Sequence, residues 1–385
     1  MDSKKIKENE KKHVMQTYGR FDIIVDHGKG CYVYSKEGKE YLDFLGGIAC
    51  CSVGHSNKKV TDAISDQAGK LLNVTNYYYT EPQVELAKKL SELSGLKKCF
   101  FANSGTEANE AAIKLAKKIT GKKKFIAFNH CFHGRTTGSL SATWKEKYKK
   151  PFAPLVPEVK FVPYDDIDAL EKEINSDIAG VIIEPIQGEA GIIVPSDCYL
   201  KKVKELCSKN KVLMIVDEVQ SGNGRTGKYF AYQHSGIKPD IVTTAKGLAN
   251  GVPIGVCISD YDFDKGDHAS TFGGNNLACA AANATVDFII DNNLMENAVD
   301  VGEYFMSELN KLKSKHPVIK EVRGKGLMIA VELNKDEGKK IVDNCLDDGM
   351  LINNAAENIL RFLPPLTVTK KEIDKAISIL DKVLS

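Results

Sequence analysis

A handful of short stretches in this chain hold side chains whose types and placement could do chemistry. In Ile241-Val-Thr-Thr-Ala-Lys-Gly-Leu-Ala-Asn-Gly251, Lys246 stands where a buried strand runs into a glycine turn. Apolar surroundings disfavour an ammonium, so a lysine held there is a usable nucleophile toward an aldehyde. The plain alternative is a solvated loop lysine, one of many in a chain with 53 Lys+Arg. Asn103-Ser-Gly-Thr-Glu-Ala-Asn-Glu110 follows a strand and opens an amphipathic helix. Ser104 and Glu107 have the spacing of a capping box. The same turn could hold a phosphate, because Gly105 admits close approach, Thr106 adds a hydroxyl donor and a helix N-terminus favours an anion. That second use requires Glu107 and Glu110 to turn away.

Other candidates are spread along the chain. In Cys131-Phe-His-Gly-Arg135, Phe132 could lie over an aromatic ring and Arg135 could pair bidentately with a carboxylate. His133 reads as a structural hydrogen-bonder. Val212-Leu-Met-Ile-Val-Asp-Glu-Val-Gln220 puts Asp217 and Glu218 at the carboxyl end of a very apolar strand, where a carboxylate is rarely left unpaired. Asp217 there could hold a proton on a pyridine nitrogen. Glu184 and Glu189 lie beyond another apolar strand end. Ser270 and Thr271 precede a glycine turn and suit a phosphate or carboxylate, or merely a loop. Arg361 sits in the apolar run Ile359-Leu-Arg-Phe-Leu, where a guanidinium demands an acidic partner or an anionic ligand. Gly222-Asn-Gly-Arg-Thr-Gly227 matches a dinucleotide-binding fingerprint in letters only. Asp-Glu-Val-Gln intervenes after the strand and no helix follows, so an irregular loop is expected.

The elements that must position these residues follow from periodicity. A polar helix or arm is predicted over 1–20, a β-hairpin over 31–44 with Gly38 in its turn, then a glycine-punctuated loop to His55. Helical spacing marks 58–70 and 84–93. Short apolar strands then alternate with helices from Cys99 to Ser259, which indicates an α/β domain with a mainly parallel sheet, ligands binding at the strands' carboxyl ends. Ala278 to about residue 313 reads as continuous helix. The last seventy or so residues suggest a smaller α+β domain. The domain division expected is 1–57, an N-terminal segment of the small domain; 58–275, the large domain; and 276–385, a linking helix with the rest of the small domain.

With 43% hydrophobic and 27% charged residues, the chain has ample material for a core. Its net charge of +2 creates no field that would attract nucleic acid or an anionic membrane. No apolar run is long enough for a membrane span, and the lysine-rich N-terminus lacks the apolar stretch of a signal peptide. The ten cysteines include no C-x-x-C pair and mostly sit in apolar stretches. They read as reduced, buried thiols of a cytoplasmic protein, neither a disulfide framework nor a metal site, with vicinal Cys50-Cys51 a packing pair or a redox pair.

Each signal is modest alone; together they are specific. A phosphate cradle, a ring-stacking Phe, an acid for a pyridine nitrogen and a Schiff-base lysine are the equipment for pyridoxal 5'-phosphate. The motifs NSGTEANEAAIKLA, FHGRTTGSLSAT, IIEPIQGEAG, VDEVQSGNGRTG, AKGLANGVPIG and STFGGN also resemble those of the class III, fold type I pyridoxal-phosphate aminotransferases, over essentially the whole chain. The resemblance implies a large domain with a seven-stranded, mainly parallel sheet, a small α+β domain from both chain ends, and a homodimer with shared active sites.

It also implies roles. Lys246 would carry the cofactor and move the proton, and Asp217 would pair with the ring nitrogen. Phe132 and Val219 would cover the two ring faces, and Gln220 would reach the phenolic oxygen. Gly105 and Thr106 would hold the phosphate, with Thr271 arriving from the partner subunit. Arg135, assisted by Ser270, would bind the amino donor's far carboxylate. Arg361 would bind a carboxylate of 2-oxoglutarate and rest on Glu189 when the donor is present. Within the family, the loop Gly47-Ile-Ala-Cys-Cys-Ser-Val53 lacks the tyrosine typical of ornithine enzymes, and the later motif is Phe-His-Gly-Arg where Phe-Trp-Gly-Arg is their habit. Both favour an N-acylated ornithine, N2-acetylornithine first, as donor. Succinylornithine, ornithine and 4-aminobutyrate stay open, as does a non-catalytic cofactor-binding protein.

Overall fold

The structure, a computed structural model, describes residues 1–385. Near the N-terminus, β1 (Val25–Lys29), β2 (Tyr32–Ser35) and β3 (Glu40–Asp43) form an antiparallel meander. The predicted hairpin is β2–β3. Strand β1 is an addition that sequence could not show, since almost all of it is exposed and no buried alternation marks it.

The central sheet contains β4 (Lys98–Ala102), β5 (Lys124–Phe128), β6 (Val159–Val162), β7 (Ile178–Ile183), β8 (Leu213–Asp217), β9 (Ile241–Thr244) and β10 (Gly255–Ser259). Their order is β4-β10-β9-β8-β7-β5-β6. Only β10 runs antiparallel to its neighbours. Every residue of β7, β8, β9 and β10 is buried. Strands covered on both faces have no polar side, which is why they read as unbroken apolar runs. Because the other six strands share one direction, the carboxyl ends of β4, β5, β7, β8 and β9 open on a single edge.

After the sheet, the long helical stretch is two helices, Asn276–Asp291 and Leu294–Lys315. Apolar periodicity persists through the junction, but Asn293 adopts φ 50°, a left-handed value that asparagine tolerates and a helix interior does not. The C-terminal part carries β11 (Ile319–Lys325), β12 (Met328–Leu333), β13 (Met350–Leu351), β14 (Asn353–Ala356) and β15 (Ile359–Phe362). Four of these form a sheet in the order β11-β12-β15-β14, while β13 pairs in parallel with β3. The first and last segments of the chain therefore share one sheet. No helix is long and apolar enough to cross a membrane.

Two features tie these parts to the sheet edge. Gly46–Ala49 is a tight helical turn in which Gly46, Gly47, Ile48 and Ala49 all have positive φ. Left-handed backbone costs about 1–2 kcal/mol at each non-glycine residue, so something must hold it. Asp43 does: its Oδ1 accepts from Leu45 N at 3.0 Å and Gly46 N at 2.9 Å, and its Oδ2 meets His55 Nε2 at 2.7 Å. Beyond the turn, Ser52 Oγ donates to Gly247 O at 2.6 Å, next to Lys246. The second tie is Arg225, in the glycine loop 222–227. Buried to 2% exposure, it donates to Leu327 O at 3.3 Å and to Pro364 O. That loop is irregular, as expected, and holds a structural guanidinium.

Candidate active site

Lys246 follows β9 as the first residue of a 3-10 turn, Lys246–Ala249, with φ 45°. Asn223 fixes the approach, its Nδ2 donating to Thr244 Oγ1 at 3.2 Å and Ala245 O at 3.1 Å. The lysine opens into a cavity of about 440 Å³ at the carboxyl edge of the sheet. Burial pushes its amine below the ordinary lysine value; Glu189 opposes this shift and Arg361 adds to it. A substantial neutral fraction near neutral pH is the requirement for a nucleophilic amine.

Asp217 ends β8 and lines the same cavity at 4% exposure. Its oxygens are held on the protein side: Oδ1 accepts from Val219 N at 3.0 Å, and Oδ2 accepts from Asn109 Nδ2 at 2.7 Å and meets His133 Nδ1 at 2.8 Å, which leaves Oδ1 able to accept once more. Asn109 is itself fixed by Thr243, whose Oγ1 donates to its Oδ1 at 2.7 Å. Burial opposes a charge on His133, but the neighbouring Cys131 and Asp217 outweigh it and hold the imidazole well above its usual value. His133, expected as a structural hydrogen-bonder, thus braces a carboxylate that lines the cavity.

The turn at 103–110 serves both of its possible uses. Ser104 Oγ accepts from Glu107 N at 3.3 Å, while Glu107 Oε2 accepts from Asn103 N at 2.6 Å, a cap displaced by one residue from the usual box. Glu110 Oε1 accepts from Gly138 N at 2.8 Å and Ser139 N at 3.0 Å, capping the next helix. Both acids are therefore consumed by backbone amides. Helix geometry leaves the Gly105 and Thr106 amides without intrahelical partners, and both residues line the cavity. A Cβ on Gly105 would lie 2.7 Å from Val219 Cγ1, so only glycine lets this turn and Val219 meet.

Phe132 lines the cavity, positioned by a bond from its N to Glu184 Oε1 at 2.9 Å. Burial raises Glu184 to about 7, with His133 opposing; its Oε2 also accepts from Gly188 N at 3.0 Å. Arg361, 1% exposed on β15, donates from Nη1 to Glu189 Oε1 at 2.5 Å and to Gln220 Oε1 at 3.3 Å, and from Nε to Asn353 Oδ1 at 3.2 Å. Burial alone would raise Glu189, but Arg361 and Lys246 hold it below the carboxylate range. Arg135 is exposed, has no acidic partner, and stacks on Tyr148 with its guanidinium carbon 3.5 Å from the ring centre.

The structure brings Lys246, Asp217, Gly105, Thr106, Phe132, Val219, Gln220, Arg135 and Glu189 to one cavity, with Arg361 bonded at its edge. It does not bring Ser270 or Thr271 to the cavity wall of this chain. Ser270 Oγ instead accepts from Asn103 Nδ2 at 3.2 Å, and Thr271 is exposed beside Phe272. Sequence reasoning missed Asn109, Glu184 as a backbone holder, and Cys50, which also lines the cavity. Burial raises the Cys50 thiol, and Lys246 opposes the shift. All ten cysteines are free.

Residues 14–384 match the family model described as aminotransferase class-III. The acetylornithine aminotransferase of Archaeoglobus fulgidus is 47% identical, covering 97% of this chain and 98% of its own. That of Methanocaldococcus jannaschii is 48% identical, covering 98% and 97%. Among solved structures, the ornithine aminotransferase of Toxoplasma gondii superimposes with a TM-score of 0.96 at 33% identity, over 100% of this chain and 94% of that one. The acetylornithine aminotransferase of Elizabethkingia anophelis gives 0.89 at 34% identity, over 100% and 99%.

Proposed function

The chain belongs to the class-III aminotransferase family, and on that premise we propose that it moves the terminal amino group of N2-acetyl-L-ornithine to 2-oxoglutarate, giving N-acetyl-glutamate 5-semialdehyde and glutamate. One observation carries the reading: of two arginines at the cavity, Arg135 is free and Arg361 rests on Glu189. A transaminase serves two substrates in turn. The donor reacts at its terminal carbon and bears one carboxylate at the far end, which suits Arg135. The acceptor bears carboxylates at both ends and needs a second cation nearer the reacting carbon. Arg361 supplies it by leaving Glu189, and returns to Glu189 when the donor is bound. The names of the relatives favour the same donor.

The family's cofactor is pyridoxal 5'-phosphate, and the residues present fit it. The cradle is free of acid, the Gly105–Val219 contact leaves room for nothing but glycine, and a braced carboxylate faces a buried lysine of lowered pKa. Gly105 and Thr106 would hold the phosphate, Asp217 the ring nitrogen, Phe132 and Val219 the ring faces, Gln220 the phenolic oxygen and Lys246 the reactive carbonyl carbon. When bound, this cofactor supplies an electron sink that allows a C–H bond beside nitrogen to break. Lys246 then takes up and returns that proton at Nζ, its lowered pKa making the neutral amine accessible. Asp217, held by Asn109 and His133, would be fixed in place to accept from the ring nitrogen.

A homodimer with shared sites belongs to the same proposal. Tyr77, Tyr78 and Tyr79 are 90%, 65% and 100% exposed, and Phe272 is 60% exposed. Asn76 joins the two segments by donating to Ser270 O and Gly273 O at 3.2 and 3.0 Å. So apolar a surface next to Thr271 suits a second copy, to whose site Thr271 and Ser270 would be delivered. The cytoplasm as compartment, and the domain division 1–57, 58–275 and 276–385, belong to the proposal as well. Steady-state rates with acetylornithine, ornithine and 4-aminobutyrate test the donor. Acetylornithine should give the highest kcat/KM; a higher value for ornithine would overturn the assignment.

A further inference from the structure

Glu189 stands in a short loop closed at its base. Gln187 N donates to Ile193 O at 3.1 Å and Ile193 N returns the bond to Gln187 O at 3.0 Å, so residues 188–192 form a single excursion. Its far side holds Ile192 at φ 56°. A β-branched residue keeps a left-handed backbone only where the surroundings force it to.

The restraint comes from the C-terminal sheet. Arg323, on β11, donates from Nε to Gly191 O and Ile192 O, each at 3.1 Å, and from Nη2 to Gly191 O at 2.9 Å. Its Nη1 is held by Glu332 Oε2 at 2.5 Å and Glu321 Oε2 at 2.7 Å, which aim the fork. Ile192 itself is fully buried, packed with Ile186, Met328, Ala330, Ile359 and Leu363 in a small cluster apart from the main core. Strand register accounts for the arrangement. Arg323 pairs with Ala330 on β12, and Ala330 pairs with Arg361 on β15. Directly paired residues on neighbouring strands project from the same face, so two guanidiniums flank one alanine. Arg361 takes the near end of the loop, at Glu189 Oε1 and at Gly188 O (3.3 Å), while Arg323 takes the far end.

We propose that Arg323 is a positioning residue for the transamination, holding the 188–192 loop so that Glu189 stays within reach of Arg361. The proposal rests on the alternation of Arg361 between Glu189 and the acceptor's carboxylate. When Arg361 turns to the acceptor, the loop loses its bond at Glu189. The bonds from Arg323 go to backbone carbonyls, for which no substrate carboxylate competes, and they persist. Without them the left-handed stretch at Ile192 relaxes and carries Glu189 away, so that Arg361 has nothing to return to when the donor arrives. Arg323 does not line the cavity and therefore acts through Glu189.

The test measures single-turnover rates of both half-reactions in wild type, Arg323→Gln, Glu189→Gln and the double variant. Arg323→Gln does not strand its acid, since Glu332 keeps Lys320 at 2.6 Å. It should slow the acetylornithine half-reaction about fivefold or more, the scale of a weakened hydrogen bond to a charged group, and spare the 2-oxoglutarate half-reaction. Arg323→Lys, which keeps the charge beside Glu332 and loses the fork, should show the same bias. The double variant should be no slower than Glu189→Gln alone, because an effect that runs through Glu189 vanishes with it. Equal slowing of both half-reactions in the Arg323 variants, or additive losses in the double variant, would overturn the proposal. Glu189→Gln slowing both half-reactions equally would overturn the alternation of Arg361 instead.

Discussion

The Glu189–Arg361 pair is where single side chains decide the outcome. Glu189→Gln removes the resting partner of a guanidinium that is 1% exposed, so Arg361 stays available in the cavity and competes for the donor's carboxylate. The expected result is a fall of about tenfold or more in kcat/KM for acetylornithine, equivalent to one lost charge-assisted hydrogen bond, with no rise in KM for 2-oxoglutarate. Single-turnover rates for each half-reaction check this; equal losses in both halves would contradict the gating role. Much of this site was readable in the sequence, because Asp217 ends an apolar strand, Lys246 begins the turn after one, and Arg135 and Glu189 lie in the loops that follow two others. What could not be read was the support. Asn109 and His133 meet Asp217 across 108 and 84 positions of chain, and no local pattern reports such a contact.

Among the elements, the turn at Gly46–Ala49 is the one the fold must restrain. Asp43 caps it with one oxygen and holds His55 with the other. Hydrogen bonds to Asp43 and Cys51 raise His55 to about 10, against 6.5 when unfolded. A raised histidine adds stability that is complete below its unfolded value and is lost as pH climbs through its folded value. Asp43→Asn keeps the cap and removes the charge. It should cost about 1–3 kcal/mol in urea unfolding at pH 6, with the gap from wild type closing toward pH 10. A gap independent of pH would contradict the charged pair. Sequence showed a glycine-punctuated loop here and no more, since Ile48 and Ala49 are not residues that announce a positive φ. Strand β14 was likewise invisible, its Asn-Asn-Ala-Ala carrying no apolar alternation.

For the molecule as a whole, the site depends on both chain ends closing over one sheet edge. Arg225 latches the glycine loop to the chain at Leu327 and Pro364, beside the strand that bears Arg361. Burial depresses its guanidinium to about 10, and no acid compensates it. Arg225→Ala should lower unfolding stability by about 3 kcal/mol, through stranded carbonyls and an unfilled site, and a loss under about 0.5 kcal/mol in urea melts would remove the latch. The seven-stranded sheet was legible because its strands are apolar on both faces; the sharing of a sheet by β3 and β13 was not, because two residues make no pattern. The central claim is that Lys246 and its neighbours form a transaminase site for pyridoxal phosphate. Its most direct test is the visible absorbance of the purified, cofactor-loaded protein. The wild type should be yellow, bleach on adding acetylornithine and regain its colour with 2-oxoglutarate, while Lys246→Ala should take up cofactor and fail to complete the cycle. A wild-type protein that takes up no pyridoxal phosphate, or a Lys246→Ala protein that cycles normally, would contradict the account.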